Sequence, residues 1–366
     1  TGSAIAAGGG LVDIRISGTV ASGIDAISLN CDTATLRNSG TIEGGLFSAV
    51  NSTSDNLTLK NSGAIDAAAG SAIIVAKGNL DLNNTGSVTS DTDVAILFNE
   101  GSSSVGKVAI VNDGTISGAV DAIRVDSPAS SRAFTLFNTG EIIGDVNLSG
   151  SARNIVVNTS NGRVEGNIFT GDGEDRIVLI DAEVTGGVSG GKGDDTYTLS
   201  SDDIDISESA DGGIDTIRAT GTLSLILPNN FENVTLLGSS DTQAPGNSAD
   251  NRLIGNSGDN FLDGAGGEDT IRGGKGDDRL LGGLDSDTFI FRKGDGKDEI
   301  GAFDTDVFTH DVLDLSRIEG IRNFNDLIDN HARDVDGDVV INAGKGDRIV
   351  LEGHVVADLT AEMFLF

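Results

Sequence analysis

Five nine-residue segments follow one another without a gap from residue 246 to residue 290. They read GNSADNRLI, GNSGDNFLD, GAGGEDTIR, GGKGDDRLL and GGLDSDTFI. Glycine loses more backbone entropy on folding than any other residue, and acidic side chains stacked on neighbouring strands repel one another. A chain that repeats both residues at this interval therefore needs something outside the polypeptide to offset the two costs.

Each segment predicts a glycine-rich turn over its first six residues and a short strand over its last three. One large apolar residue per strand points inward, and the predicted set is Leu253, Phe261, Ile271, Leu280 and Phe289. Two segments make one turn of a parallel β-roll, so the sixth position of the segment recurs every 18 residues. The sixth positions form two edges, which are Asn251, Asp269 and Asp287 on one side and Asn260 and Asp278 on the other.

Aspartates stacked at about one strand spacing favour a bound cation. Calcium is a hard ion that takes about 6 to 8 oxygen ligands, so it converts the repulsion into ligation, and backbone carbonyls of the glycine turns complete the shell. The expected strong ligands are Asp269, Asp278 and Asp287, with the carbonyls of Gly274 and Gly276. Asp285 replaces the fourth glycine and is a further candidate. Asn251 and Asn260 replace aspartate, so we expect sites that involve the first two segments to be weak or empty.

Two related nonapeptides lie upstream, TGDGEDRIV at 170–178 and GGKGDDTYT at 190–198. Their sixth residues, Asp175 and Asp195, are candidates of second rank because neither repeat has a complete neighbour. Zinc is disfavoured because the three histidines are scattered and no H-E-x-x-H is present. An EF-hand is disfavoured because residues 334–345 have no glutamate at the twelfth position.

The nonapeptides follow the pattern G-G-x-G-x-D-x-U-x, where U is a large apolar residue, and they resemble the RTX (hemolysin-type) calcium-binding repeat. The resemblance implies calcium as the cofactor. The final residues AEMFLF resemble the tail of proteins exported by the type I secretion route, whose transporter reads an uncleaved C-terminal segment. This implies a secreted, extracellular or cell-surface protein, and it accounts for a first decapeptide that lacks signal-peptide features.

A second repeat occupies residues 11–165, where the phrase N-x-G recurs in LRNSGTI, LKNSGAI, LNNTGSV, IVNDGTI and LFNTGEI. Its glycines are 23, 23, 28 and 26 residues apart. This period predicts a parallel β-helix with about three strands per turn. An antiparallel sandwich is the weaker alternative, because it does not require the same phrase in the same phase. The phrases also resemble repeats of bacterial adhesins and secreted β-helix passengers.

Three sets of side chains should stack along this β-helix. Asn38, Asn61, Asn84, Asn112 and Asn138 precede the glycine corners, where stacked amides can hydrogen-bond in a ladder. The inward stacks are Leu36, Leu59, Leu82, Ile110 and Leu136, and Ile42, Ile65, Val88, Ile116 and Ile142. Two insertions, at 99–107 and 126–132, are expected to be surface loops.

The predicted fold class is therefore all-β, a solenoid in which an N-terminal parallel β-helix continues into a calcium-bound parallel β-roll. The expected organisation is a β-helix at 1–165, a transitional solenoid at 166–245, the β-roll at 246–291, and a cap with the secretion signal at 292–366.

The distribution of charge along the chain limits the kinds of partner that it can bind. The chain has a formal net charge of -33, and residues 166–366 hold 41 acidic against 15 basic side chains. Such a surface repels nucleic acid, so the favoured partner is a cation. Residues 1–165 contain no His, Tyr or Trp, and hydrolase and zinc-protease motifs are absent. We therefore expect a protein that is not an enzyme.

The predicted function is that of a calcium-dependent structural or adhesive protein of a biofilm matrix, surface layer or filament. Its expected partners are calcium, further copies of the chain in an oligomer or polymer, the type I secretion machinery and a cell-surface polysaccharide. The alternative is a secreted β-helix protein that binds or modifies polysaccharide. In that case Lys60, Lys77, Arg124 and Arg132 would contact acidic sugars.

Overall fold

Short strands make up nearly all the regular structure of the chain, as the repeats predict. The computed structural model describes residues 3–99, 106–126, 133–221, 226–306 and 308–366. The chain forms two compact units, Thr1–Tyr197 with Asp203–Gly213, and Thr198–Asp202 with Ile214–Phe366. The expected four-part organisation stays a prediction. The two insertions at 99–107 and 126–132 lie almost wholly outside the described residues.

The first unit consists of parallel strands of two to twelve residues. They are β1 (Ile5–Ile16), β2 (Thr19–Ala21), β3 (Ile27–Asn38), β4 (Thr41–Gly44), β5 (Ser48–Ser52), β6 (Asn56–Asn61), β7 (Ala64–Ala67), β8 (Ser71–Val75), β9 (Asn79–Asn84), β10 (Ser87–Ser90), β11 (Ile96–Phe98), β12 (Lys107–Asn112), β13 (Thr115–Val125), β14 (Ala133–Asn138), β15 (Glu141–Asn147), β16 (Arg153–Thr159), β17 (Arg163–Glu165), β18 (Ile168–Asp172), β19 (Arg176–Ile180), β20 (Glu183–Val184), β21 (Val188–Lys192), β22 (Thr196–Leu199), whose residues are divided between the units, and β23 (Ile206–Ser207).

These strands stack as three parallel ladders, which confirms the predicted parallel β-helix with three strands per turn. One ladder joins β1, β3, β6, β9, β12, β14, β16 and β19. A second joins β2, β4, β7, β10, β13, β15, β17 and β20. The third contains β5, β8, β11, β18, β21 and β23, with parts of β3, β13 and β15.

The predicted stacks line the interior of this unit. The apolar side chains of both inward sets are at most 1% exposed, from Leu36 through Leu136 and from Ile42 through Ile142. The asparagine ladder is also confirmed. Each buried amide donates from Nδ2 to Oδ1 of the next at 2.7–2.8 Å, in the order Asn38, Asn61, Asn84, Asn112, Asn138 and Asn158. The amides thus satisfy one another where the chain turns between β3 and β4 and at each later corner.

The second unit is a two-ladder solenoid. Its strands are β24 (Thr216–Thr220), β25 (Asn233–Leu237), β26 (Gln243–Pro245), β27 (Arg252–Ile254), β28 (Phe261–Gly266), β29 (Thr270–Arg272), β30 (Arg279–Leu284), β31 (Thr288–Arg292), β32 (Lys297–Gly301), β33 (Val312–Arg317), β34 (Ala332–Val335), β35 (Asp338–Gly344), β36 (Asp347–Leu351) and β37 (Phe364–Leu365). One parallel ladder joins β24, β25, β27, β29, β31, β33 and β37. The other joins β26, β28, β30, β32 and β36.

The nonapeptides form the predicted β-roll. Arg252 pairs with Thr270 and Thr270 with Thr288, which is the 18-residue register expected for two segments per turn. Leu253, Ile271, Leu280 and Phe289 are fully buried, as predicted. The prediction for the second nonapeptide was wrong. Its buried residue is Leu262, which holds the eighth position in phase with the others, whereas Phe261 is only half-buried on the other face of the strand.

The end of the second unit departs from the parallel pattern. β34, β35 and β36 pair antiparallel, and short helical turns lie at Phe324–Asp326, Leu327–His331, Val356–Asp358 and Ala361–Met363. Arg279 of β30 donates to both carboxylate oxygens of Glu352 at 2.8 and 2.9 Å, which ties a nonapeptide to the residue after β36. No helix in the part of the chain that the structure describes is long and apolar enough to cross a membrane.

Candidate metal centres

The first glycine of each acidic nonapeptide lies against the aspartate at its sixth position. A Cβ atom on that glycine would overlap Oδ2 of the carboxylate, so any other residue type would force the aspartate side chain or the turn to move. The three pairs are Gly264 with Asp269, Gly273 with Asp278, and Gly282 with Asp287. The nonapeptide pattern thus brings a carboxylate oxygen against bare backbone at each of these turns.

One oxygen of each carboxylate holds the neighbouring turn. Oδ1 of Asp269 accepts from the backbone N–H of Asn251 at 2.6 Å, and Oδ1 of Asp287 accepts from that of Asp269 at 2.8 Å. Along the other edge, Oδ1 of Asp278 accepts from the N–H of Asn260 at 2.7 Å. Each bond spans 18 residues, so the predicted edges are present.

The other oxygen of these three carboxylates has no donor. Asp269, Asp278 and Asp287 are at most 2% exposed, and the Oδ2 atom of each is buried without a hydrogen-bond partner in the described chain. Burial raises the pKa of each carboxyl to about 7. A buried polar atom without a partner is costly, and one such oxygen in each of three successive nonapeptides indicates that a cation binds there.

Calcium fits this donor set. The groups present are carboxylate oxygens and the carbonyls of glycine turns, which are the ligands of a hard divalent cation. Gly274 and Gly276 adopt left-handed φ values of +111° and +119° in the turn that leads to Asp278. The backbone is therefore sharply bent at the two residues whose carbonyls are predicted ligands. Asp285 adopts φ +74° and is exposed in the turn before Asp287. The individual ligand assignments stay predictions.

The two asparagines at the sixth position have partners within the chain. Asn260 Oδ1 accepts from the N–H of Asn256 at 2.8 Å, and its Nδ2 donates to Oδ1 of Asn256 at 3.2 Å and to the carbonyl of Ser240 at 3.4 Å. Asn251 makes the equivalent bonds to Asn247 and to the carbonyl of Phe231. The amide groups of Asn251 and Asn260 are thus satisfied within the chain, and the expectation that sites in these turns are weak or empty stays a prediction.

The upstream candidates Asp175 and Asp195 belong to the first unit. Oδ1 of Asp195 accepts from the N–H of Asp175 at 2.7 Å, which repeats the link seen in the roll. Burial raises the pKa of the Asp175 carboxyl, and both its oxygens accept from Asn154. Asp175 thus has donors within the chain.

Sequence reasoning missed a glutamate that lies beside Asp195. Glu208 accepts from the backbone N–H groups of Gly190 at 3.1 Å and Gly191 at 2.8 Å, and also from the hydroxyl of Tyr197. One carboxylate oxygen of Glu208 lies within 4.8 Å of one of Asp195. The signal was the 18-residue separation of Gly190 and Glu208, which is one roll period.

Two further buried aspartates continue the edges beyond residue 290. Oδ1 of Asp298 accepts from the N–H of Asp278 at 3.0 Å, and burial raises the pKa of Asp298 to about 8. Asp311 accepts from the N–H groups of Asp287 and Asp304, so both its oxygens are satisfied. GDGKDEI at 294–300 spans positions two to eight of the nonapeptide and matches all four residues that the pattern specifies there, and this is the signal that would have found Asp298.

Comparison with known proteins agrees with this geometry. The family described as the RTX calcium-binding nonapeptide repeat (4 copies) matches residues 245–280, 254–289 and 263–297. The turns that hold Asp269, Asp278 and Asp287 are therefore RTX calcium-binding repeats within a β-roll. No curated protein matches the chain.

Ten chains of solved structures also match. One is the extracellular lipase LipA from Serratia marcescens, with 19% sequence identity and a TM-score of 0.32. The alignment covers 79% of this chain and 45% of the lipase. The chain thus spans less than half the length of that protein.

Proposed function

We propose that this chain is a calcium-dependent extracellular structural or adhesive protein whose acidic roll folds when it meets calcium. The observation that carries the proposal is the set of buried Oδ2 atoms on Asp269, Asp278 and Asp287, none with a donor in the described chain. Without a cation these carboxyls lose solvation and gain no ion partner. With calcium bound, the same atoms become ligands, so binding free energy becomes folding free energy.

Extracellular placement is supported by the RTX repeats. The partial burial of the C-terminal hydrophobic segment in the folded protein fits export before folding. Met363 and Phe364 are buried, and β37 pairs with β33 in the folded second unit. A transporter that reads this segment needs it accessible. An acidic half that stays unfolded where calcium is scarce keeps the segment accessible during export, and folding outside the cell then buries Met363 and Phe364 while Leu365 and Phe366 remain exposed.

The proposed role of the β-helix is mechanical and non-catalytic. Its corners are held by a continuous run of asparagine amides, and its outer faces are mainly Ser, Thr, Asn, Asp and Gly. Such a body suits a rigid spacer or contact surface better than proton transfer. Self-association is part of the proposal, because strand edges of a solenoid can pair with those of a second copy.

Circular dichroism and thermal melting of the full chain in calcium and in EGTA test the calcium switch. We expect the roll to melt at a much lower temperature in EGTA than in calcium, with part of its strand signal lost in EGTA near neutral pH and restored by calcium. The variant D269N/D278N/D287N should lose calcium-dependent stabilisation, while D32N/D81N/D329N, which removes three exposed aspartates outside the roll, should keep it. An identical spectrum and melting temperature in EGTA and calcium would overturn the proposal.

Light scattering over a range of protein concentrations in calcium tests self-association. We expect the mass to rise with concentration, and a constant monomer mass would contradict this part. Incubation with polysaccharides should yield no new reducing ends or unsaturated products. Their appearance would contradict the non-catalytic role without affecting the calcium switch.

A further inference from the structure

Three cationic side chains lie at the same position of consecutive turns of the β-helix. Arg15 of β1 pairs with Arg37 of β3, and Arg37 pairs with Lys60 of β6. The next position is Asn83 of β9. Because paired strands in a ladder lie about 4.8 Å apart, Arg15, Arg37 and Lys60 form a regular outward row, here called the basic column.

The basic column has an excess of positive charge. Arg37 Nη1 lies 2.6 Å from Oδ1 of Asp13, and Arg15 Nη2 lies 3.8 Å from Oδ2 of the same carboxylate. Among the described residues, no carboxylate oxygen lies within 4.0 Å of Lys60 Nζ. Three cations therefore face one anion on a chain whose net charge is -33.

A groove of about 530 Å³ follows this column. Besides the basic column, its lining includes a row of hydroxyl side chains from successive turns, Ser17, Ser39, Ser62 and Thr85. Ser39, Ser62 and Thr85 donate to backbone carbonyls one turn earlier at 3.2–3.3 Å. Since the hydroxyl hydrogens of Ser39, Ser62 and Thr85 are used within the chain, the lone pairs of these oxygens remain as acceptors for hydroxyl donors of a ligand.

We propose that this groove binds an extended acidic polysaccharide of uronic-acid type, which lies across the turns of the β-helix. Its carboxylates would pair with Arg15, Arg37 and Lys60, and its hydroxyls would donate to the serine and threonine row. The guanidinium groups of arginine suit carboxylates because they offer paired donors in a fixed plane. This inference deepens the proposed adhesive role and rests on extracellular placement.

Other polyanions fit the groove less well. Single-stranded nucleic acid is usually bound by cations together with aromatic platforms for the bases, and no aromatic residue lines this groove. A membrane surface needs a broader set of cations than one column, and the remaining acidic surface would be repelled. A uronic-acid chain has a lower charge density and many hydroxyl donors, which match the two rows.

Other cations assigned to acidic sugars from the sequence do not join the column. Lys77 Nζ lies 2.5 Å from Asp55, and Arg124 pairs with Asp121 and Asp126. Arg132 is outside the described residues. Of the three members that the structure describes, Lys60 alone lines the groove, and the strand register places Arg15 and Arg37 beside it.

Calorimetric titration of the calcium-loaded full chain with hexagalacturonate tests the proposal, with calcium kept below the level that gels the oligomer. The variant R15Q/K60Q should bind at least about tenfold more weakly, and added salt should weaken wild-type binding. Glutamine suits both positions because Asn83 occupies the same column. The matched control K77Q/K107Q removes two lysines outside the groove and should bind like the wild type.

Three outcomes would overturn the assignment. They are an absence of wild-type binding, equal affinity of R15Q/K60Q and K77Q/K107Q, and equal or tighter binding of single-stranded DNA or phosphatidylserine vesicles. A neutral maltohexaose should bind much more weakly than the acidic hexamer. Calcium-dependent folding is measured on the same samples by circular dichroism, so failure of the groove and failure of the calcium switch are distinguished.

Discussion

Oδ1 of Asp278 accepts a hydrogen bond from the backbone N–H of Asn260 at 2.7 Å, while its Oδ2 faces Gly273 without a donor. The same carboxylate therefore joins two turns of the roll and presents an unused oxygen to the turn interior. At the preceding sixth position of the same edge, Asn260 presents an amide that finds its partners within the chain. Asp278 thus has a buried oxygen without a donor, whereas the amide of Asn260 is satisfied within the chain, and we predict that only the first kind of turn binds a cation strongly.

Asn260→Asp should convert a self-satisfied turn into a cation-dependent one. The substitution replaces the Nδ2 donor to Asn256 and Ser240 with a second carboxylate oxygen in a buried position. We expect higher calcium stoichiometry by calorimetry and a lower melting temperature in EGTA. Asn83→Asp, an exposed position of the β-helix, is the control. Unchanged stoichiometry together with unchanged stability in EGTA would contradict the prediction.

The stability of the calcium-free protein should fall as pH rises. Burial raises the pKa of Asp269, Asp278 and Asp287 from 3.8 to about 7. The folded state therefore holds protons that the unfolded state has released. This contribution is fully present below about pH 4 and is lost as pH rises through about 7. Since calcium competes with these protons, its affinity should rise over the same interval.

Melting in EGTA between about pH 5 and about pH 8 measures this dependence. The variant D269N/D278N/D287N should show a shallower decline, because its amides do not titrate. A melting temperature that rises with pH in EGTA would contradict the assignment of these carboxyls as the dominant titrating groups.

Gly273→Ala should damage one calcium turn. The added Cβ would overlap Oδ2 and Cγ of Asp278, which the turn brings against the glycine. We expect a loss of about 2 to 4 kcal/mol in the free energy of unfolding in calcium, with weaker calcium binding by calorimetry. Gly320→Ala is the matched control, since no atom lies within 4 Å of its added Cβ. Equal stability of the two variants would count against the proposed turn geometry.

Asn61→Ala should interrupt the asparagine ladder. Asn61 donates to Oδ1 of Asn84 and to the carbonyl of Ser87, both at 2.8 Å, and accepts from Asn38. Its removal leaves buried groups unpaired, so we expect a loss of about 2 to 3 kcal/mol in stability. Thermal unfolding of the β-helix measures this change. Asn83→Ala, at the exposed position before Asn84, should have little effect on stability. A similar loss of stability in this variant would contradict the role of the ladder.

The periodic features of this protein were predictable because they depend on local spacing. An 18-residue return of the sixth position predicts both edges of the roll, and a recurring asparagine before glycine predicts the ladder from Asn38 to Asn138. The prediction that Phe261 points inward was wrong because it relied on the size of the apolar side chain. Leu262 holds the eighth position of its nonapeptide, as the other buried residues do, whereas Phe261 holds the seventh. In a strand of alternating faces, phase decides burial.

The tertiary structure located residues that insertions move out of the fixed 18-residue period. Asp298 follows Asp278 by 20 residues and Asp311 follows Asp287 by 24, so a fixed period misses both. Glu208 lies beside Asp195 because the chain returns to the turn that begins at Gly190. Asp298, Asp311 and Glu208 lie outside the complete nonapeptides.

The sequence by itself determined the solenoid, its period and the cation that its acidic turns need, because repeated strands stack on their own equivalents. Only the tertiary structure decided which oxygens lack donors and which cations share a face. Arg15, Arg37 and Lys60 are separated by more than twenty residues each in an irregular period, and strand register alone places them in one row. Hydrogen-bond satisfaction and charge proximity are properties of atoms brought together across turns, so they follow from register rather than from composition.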